Sequence, residues 1–316
     1  MRYRRLGKSG CQVSVLSLGS WLTFGGSVDQ DTTTACVRAA FEAGINLFDT
    51  ADIYAHGAAE SALGVALAGL PRKDLVIATK LFWPMTDRVN DQGLSRKHVM
   101  ESCHASLRRL RTDYIDLYQC HRFDANTPVE ETARAMEDLI RQGKVLYWGV
   151  SVWTAPQIVE ACEESDRWGG YRPTTNQPPY SLLEREIERE ILGTCEQLGM
   201  SQIVWSPLAQ GLLTGKYAGG RVPPGSRAAD EQRNKFLKPM LDELNLKRAA
   251  HVAAVAAELG LTSAQVALAW VLRRQEISSA ILGVTRVEQL HENLKAADVE
   301  LTPQTIARLE AGTLGS

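Results

Sequence analysis

The chain has 316 residues, 44% of them hydrophobic and 23% charged, which is ample for a large core and ordinary for a soluble globular enzyme. Its 35 Lys plus Arg against 37 Asp plus Glu leave a formal charge of -2, so no overall basic field exists to hold nucleic acid or an anionic membrane. Cys11, Cys36, Cys103, Cys120, Cys162 and Cys195 lie far apart without a C-x-x-C pair, which argues against a disulfide framework or a metal centre; no apolar signal core follows Met1, and no run approaches the ~18 residues of a membrane span. The expectation is a cytoplasmic protein with no metal and no membrane insertion.

The first segment, "MRYRRLGKSGCQVSVLSLG", reads as a β-hairpin turning at Gly7-Lys8-Ser9-Gly10, a lid for one end of whatever follows. Eight short apolar strand candidates then alternate with helix-period segments: "SVLSLG", "INLFDT", "LVIATK", "YIDLYQCH", "VLYWGVS", "PTTNQ", "IVWSPLA" and "SAILGV". Between the third and fourth, Val99, Cys103, Leu107 and Leu110 repeat at helical spacing behind Ser95, a predicted N-cap. In "TPVE", Thr127 is the predicted cap, Pro128 suits the first helical position and Glu130 would complete a capping box, with Gly143 ending that helix. Thr154 with Gln157, and Thr262 with Gln265, repeat the capping pattern. The stretch from Ser206 to about Met240 is rich in Gly and Pro and falls outside the alternation, the kind of long connection that usually carries function or disorder.

Strand–helix alternation implies parallel strands joined by right-handed crossovers, and eight of them in one chain fit a closed (β/α)8 barrel in a single domain. The alternative is a doubly wound nucleotide fold, but "LGSWLTFGG" lacks the G-x-G-x-x-G fingerprint. Barrel chemistry sits where strands end at their C-terminal side. There the second strand stops at Asp49, with Asp52 and Tyr54 just beyond, the third at Lys80 and the fourth at His121. Singly, each has a bland reading as a turn, rim or packing residue. Jointly they suit carbonyl reduction: a lysine ammonium, fixed by a carboxylate, lowers the pKa of a phenol from about 10, and a histidine beside the phenol orients a carbonyl oxygen. Asp52 is expected to shape the turn.

"FDTADIYAHGAAE", "IATK" and "YQCHRFD" closely resemble the aldo-keto reductase superfamily, and the resemblance covers almost the whole chain. "GLSRKHVMES", "NTPVEETARAMEDLIRQGKVLYWGVS" and "WSPLAQGLLTGKY" are most similar to its branch of voltage-gated potassium channel β-subunits and their bacterial and plant relatives. The resemblance implies a catalytic tetrad of Asp49, Tyr54, Lys80 and His121 and an NADP(H) cofactor. Gly19, Ser20 and Trp21 match positions at its nicotinamide end; Ser151, Asn176 and Gln177 match those holding the carboxamide; and Trp205 matches the aromatic that stacks on the ring. Ser206, Pro207, Leu208, Gly211 and Lys216 match the loop over the pyrophosphate, and Arg227 a residue near the adenosine 2'-phosphate, favouring NADPH. Gly283, Thr285, Gln289, Glu292 and Asn293 match the adenosine-binding segment; by spacing alone the last three read as a solvated helix face. Trp21, Tyr54, Trp83 and His121 would line an aromatic pocket for a small-molecule carbonyl substrate, Trp83 having a rim-packing alternative. Channel β-subunits of this branch commonly carry asparagine where this chain has His121, which points to a working reductase. A slowly turning, cofactor-loaded redox-sensing subunit and a Schiff-base aldolase acting through Lys80 are the alternatives. The resemblance also suggests a homo-oligomer, a tetramer or larger.

Overall fold

A computed structural model describes residues 1–224, 226–231 and 234–313. The chain begins with an antiparallel hairpin of β1 (Tyr3–Arg5) and β2 (Gln12–Ser14). Then follow β3 (Leu16–Gly19), α1 (Gln30–Glu42), β4 (Leu47–Asp49), α2 (Ala58–Leu67), β5 (Val76–Leu81), α3 (Arg96–Leu110), β6 (Ile115–Cys120) and α4 (Val129–Arg141). The second half holds β7 (Val145–Val150), α5 (Ala155–Arg167), β8 (Thr175–Asn176), α6 (Ile191–Leu198), β9 (Ser201–Val204), α7 (Glu243–Glu258), α8 (Ser263–Leu272), β10 (Ile277–Leu282), α9 (Val287–Leu294) and α10 (Pro303–Ala311). Strands β3 to β10 pair in parallel and close on one another, β10 returning to β3 with Ala280 opposite Leu16. This is the expected (β/α)8 barrel, and each of the eight predicted barrel strands is present. Among the described residues no single helix is long and apolar enough to cross a membrane.

Side chains alternate between the two faces of each strand, so every second residue points into the barrel. Leu47, Val76, Ala78, Leu117, Ile203 and Ile281 make one cluster inside it, joined by Leu6 and Val13 of the hairpin. Ile77 and Leu81, one residue out of phase, belong to the larger core shared with the helices. Two residues beyond Leu47 and Ala78 on the inward rows stand Asp49 and Lys80, so the same period that fills the barrel with aliphatics delivers a carboxylate and an ammonium to its upper layer. The hairpin closes the opposite end, where the Gly7 amide donates to Ser201 Oγ at 2.8 Å and the Lys8 amide to the Gly199 carbonyl at 2.8 Å.

Two local expectations are corrected. The seventh strand does not run through "IVWSPLA"; β9 stops at Val204, because Ser206 takes φ +52° and Pro207 has no amide to continue a ladder. Nor does the box at Thr127 form. Pro128 occupies the N-cap of α4 without a side-chain bond, since Thr127 Oγ1 donates to Asp124 Oδ2 at 2.8 Å instead. The boxes at Thr154–Gln157 and Thr262–Gln265 are both made, and Ser95 caps α3 by accepting from the His98 amide.

Arg4 ties the hairpin to the barrel: Nη1 donates to the carbonyls of Arg274 at 2.7 Å and Ile277 at 2.5 Å, and Nη2 to that of Leu272 at 2.6 Å. These carbonyls include the end of α8, where a cation is also favoured by the helix dipole. Arg4→Ala should therefore destabilise the fold by about 2–4 kcal/mol in urea denaturation, the range for charge-assisted bonds with partly buried acceptors. A loss under about 0.5 kcal/mol would show that the hairpin is held by Leu6 and Val13 alone.

Candidate active site

Lys80 is fully buried at the top of β5, and its three ammonium protons have three acceptors. Nζ lies 2.6 Å from Asp49 Oδ1, 2.7 Å from the Thr50 carbonyl and 3.5 Å from Tyr54 Oη. The second carboxylate oxygen of Asp49 accepts from Gln177 Nε2 at 2.8 Å. Burial works against the lysine's charge, but Asp49 outweighs it and holds the ammonium above its ordinary range. For Tyr54 the expected depression is not the net result. Burial pushes the phenol up and Lys80 pulls it only part of the way back, so Tyr54 is a protonated donor at neutral pH. His121 is held well below the usual histidine range, by burial first and then by the charges of Lys80 and Arg122, so its imidazole is neutral. Its ring meets Tyr54 edge-on at 5.7 Å and Trp83 edge-on at 6.3 Å, and its Nδ1 is buried with no partner among the described residues.

Asp49, Lys80, His121 and Tyr54 are thus brought together, from β4, β5, the residue after β6 and the turn that follows β4. That turn is sharply built. Ala55 and His56 adopt φ +48° and +49°, conformations L-residues avoid, and Gly57 follows at +86°. Asp52 braces it from behind: its amide donates to the Lys80 carbonyl at 3.1 Å, while its carboxylate accepts from the Ile53 amide at 2.6 Å and Ser102 Oγ at 2.9 Å. Glu60, also buried, accepts from Thr79 Oγ1 and Arg109 Nε, each at 2.6 Å.

The remaining expected residues fall into two groups. Near the tetrad, Ser20 Oγ donates to Thr50 Oγ1 at 2.8 Å, Ser151 Oγ and Trp205 Nε1 donate to the Gln177 carbonyl at 2.8 and 3.2 Å, and Asn176 Nδ2 donates to Gln202 Oε1 at 3.1 Å. Asn176 Oδ1 is buried with no partner among the described residues, and Gln177 keeps Oε1 to accept, so the carboxamide NH2 of a nicotinamide would find one acceptor on each. Gly19 allows close backbone approach, since a Cβ there would lie 2.4 Å from Ile281 Cγ2. Trp83 joins Tyr54 and His121 in one aromatic group, whereas Trp21 packs on Phe236 at 5.2 Å with Arg227 5.9 Å above its ring.

The second group follows β9. Ser206, Pro207 and Leu208 lead into a short 3-10 segment, Ala209–Thr214, in which Gly211 has φ +96° and faces the Lys216 ammonium. Arg227 donates to Gln210 Oε1. Loss of hydration and the nearby charges of Arg227 and Arg286 push Lys216 below the usual lysine range. Three cations therefore converge where the loop meets α9, an arrangement suited to phosphate groups. Arg286, the N-cap residue of α9, was not singled out from the sequence, although it sits inside "GVTRVEQ". Beside it the Thr285 amide and hydroxyl both donate to Gln289 Oε1, at 3.0 and 3.1 Å. Gly283 is exposed with open space over its Cα, Glu292 is exposed, and Asn293 is buried. Arg122, next to His121, was likewise missed; adjacency to a strand-end histidine was the available signal.

A closed barrel with a buried Asp–Lys pair touching a tyrosine, and a polar upper layer around it, defines an oxidoreductase scaffold. The chain belongs to the Aldo/keto reductase family, whose model matches residues 15–312. Two similar proteins are named probable voltage-gated potassium channel subunit beta. The one from Oryza sativa subsp. japonica is 44% identical and the one from Arabidopsis thaliana 43%, each alignment covering 98% of this chain and 96% of the relative.

Asp52 offers a test of the brace. Burial first, and then Glu60, raise its carboxyl to about 7. Because the folded value lies above the unfolded value near 3.9, ionising Asp52 penalises the fold, and the penalty grows as pH rises from about 4 to about 7. Asp52→Asn removes the charge, with Oδ1 still accepting from the Ile53 amide and Nδ2 now donating to Ser102 Oγ. It should gain stability over the wild type between pH 5 and pH 8, by something on the order of 2–4 kcal/mol in paired denaturation curves. Parallel pH profiles for the two proteins would show that Asp52 ionises without penalty.

Proposed function

We propose that the protein is an NADPH-dependent reductase of aldehydes or activated ketones, with Asp49, Tyr54, Lys80 and His121 as its catalytic group. The observation that carries this reading is the Lys80 ammonium, spent on Asp49, Thr50 and Tyr54 with no proton left over. Bound along the rim from Asn176 and Gln177 to Lys216, Arg227 and Arg286, NADPH would supply a hydride. Everything else is done by side chains of this chain. Tyr54 gives its Oη proton to the carbonyl oxygen as negative charge develops there. Lys80, at 3.5 Å, stabilises the phenolate that remains, and Asp49 keeps Lys80 charged and aimed. His121, neutral, offers one ring N–H to the same oxygen and so fixes the carbonyl's direction. Trp83, edge-on to His121 at 6.3 Å, supplies an aromatic wall beside it.

A nucleophilic role for Lys80 is disfavoured on the same grounds. An amine attacks only when deprotonated, and Asp49 raises this one's pKa. A second reading, a cofactor-loaded subunit that reports redox state to a membrane channel, is favoured by the printed names of the two plant relatives. Slow turnover with tight cofactor binding would support it over the first.

Tyr54→Phe should lower kcat for aldehyde reduction by about 10²–10⁴, the span expected for a lost general acid, while NADPH still quenches tryptophan fluorescence. Wild-type-like turnover in this variant would rule out the mechanism. Arg227→Ala should weaken NADPH about 10- to 100-fold while leaving NADH within a few-fold, since only the former carries the extra phosphate. Equal weakening of both cofactors would remove Arg227 from the 2'-phosphate.

A further inference from the structure

Arg122 is half-buried at the C-terminal end of β6, one residue after His121. Its guanidinium stands 5.7 Å from the centre of the Trp83 ring, whose edge meets His121. One donor, Nη1, is spent on the His121 carbonyl at 2.5 Å. Among the described residues no carboxylate pairs with it, and Nε and Nη2 have no acceptor. The acids that could have served are committed elsewhere. Asp124, two residues on, accepts from the amides of Leu94 and Asn126 and from Thr127 Oγ1. Asp49 is filled by Lys80 and Gln177. Half-buried cations ordinarily have a counter-charge, and here the surface that lacks one is the mouth of the site. Its charge also reaches the reacting group, acting to lower both Tyr54 and His121.

We propose that Arg122 is a substrate-reading residue: with the Trp83 ring as a platform, it accepts a carboxylate on the substrate, so that the preferred substrates are anionic carbonyl compounds such as aromatic aldehyde acids. The proposal rests on the reductase reading and adds the charge of the substrate to it. A planar carboxylate matches the two remaining donors in fork geometry, and the flat ring between acid and aldehyde would lie against Trp83.

The test compares 3- and 4-carboxybenzaldehyde with their neutral methyl esters as substrates, following NADPH oxidation at pH 7. In the wild type kcat/KM should favour the acids by about 10-fold or more, and Arg122→Gln should lower that acid-to-ester ratio about 10- to 100-fold, with Arg122→Lys retaining part of it. Turnover of the esters with no preference for the acids overturns this proposal and leaves the reductase reading standing. Absence of any turnover overturns both. Equal loss for acid and ester in Arg122→Gln, with a shifted pH profile, would mean that Arg122 acts through Tyr54 and does not touch substrate. Should that variant fail to fold, inhibition of wild-type ester reduction by benzoate against benzamide reads the same site. Benzoate at least about tenfold tighter is expected, and equal inhibition overturns the proposal.

Discussion

The Lys80–Asp49 pair is the interaction on which the site depends. Both charges are withdrawn from water at the top of a barrel whose lower layer is aliphatic, and a buried ion pair is favourable only where every remaining donor and acceptor is met. Here they are met from several elements at once. Asp49 comes from β4, Lys80 from β5, the Thr50 carbonyl from the turn, and Gln177 from the end of β8. Removing Asp49 or Lys80 leaves an uncompensated charge in a low-dielectric layer, so the pair ties the neighbouring strands β4 and β5 together, and Gln177 links it across the barrel to the end of β8.

That constraint orders what surrounds it. Directly after Tyr54 the chain turns through left-handed residues, and such a turn persists only when its surroundings over-determine it. The buried acids Asp52 and Glu60, with Ser102, Thr79 and Arg109, supply that support from the helix side of the sheet. The reacting face and the supporting face are therefore the two sides of the same strands. Burial has opposite effects on the two working groups. It raises the Tyr54 phenol and lowers the His121 imidazole, so both groups are uncharged near neutral pH.

One fold hosts many functions, so the barrel by itself does not choose between a working enzyme and a partner-binding protein. What separates the readings lies in single residues. His121 can direct a carbonyl through its ring N–H, and Arg122 beside it places a cation at the mouth that no acid of the chain neutralises among the described residues. Neither feature is needed merely to hold a cofactor.

The barrel was legible in the sequence because strand–helix alternation and two-residue periodicity follow from backbone geometry alone, and β4, β5 and β6 end within one residue of the positions read from it. The positions of Asp49, Lys80 and His121 were legible for the same reason, since the inward row must run out at the strand end where water begins, whereas Tyr54 lies in the turn beyond β4. The resemblance, rather than periodicity, supplied Ser151, Asn176, Gln177 and Trp205. The Thr127 box failed because Asp124 competes for the hydroxyl, a contact that no spacing rule scores. The net direction at Tyr54 also lay beyond the sequence, since it is a balance between burial and one ammonium 3.5 Å away. The convergence of Lys216, Arg227 and Arg286, and the lack of a counter-charge for Arg122 among the described residues, were decided only by tertiary structure, because charges from distant segments meet only after the chain has closed on itself.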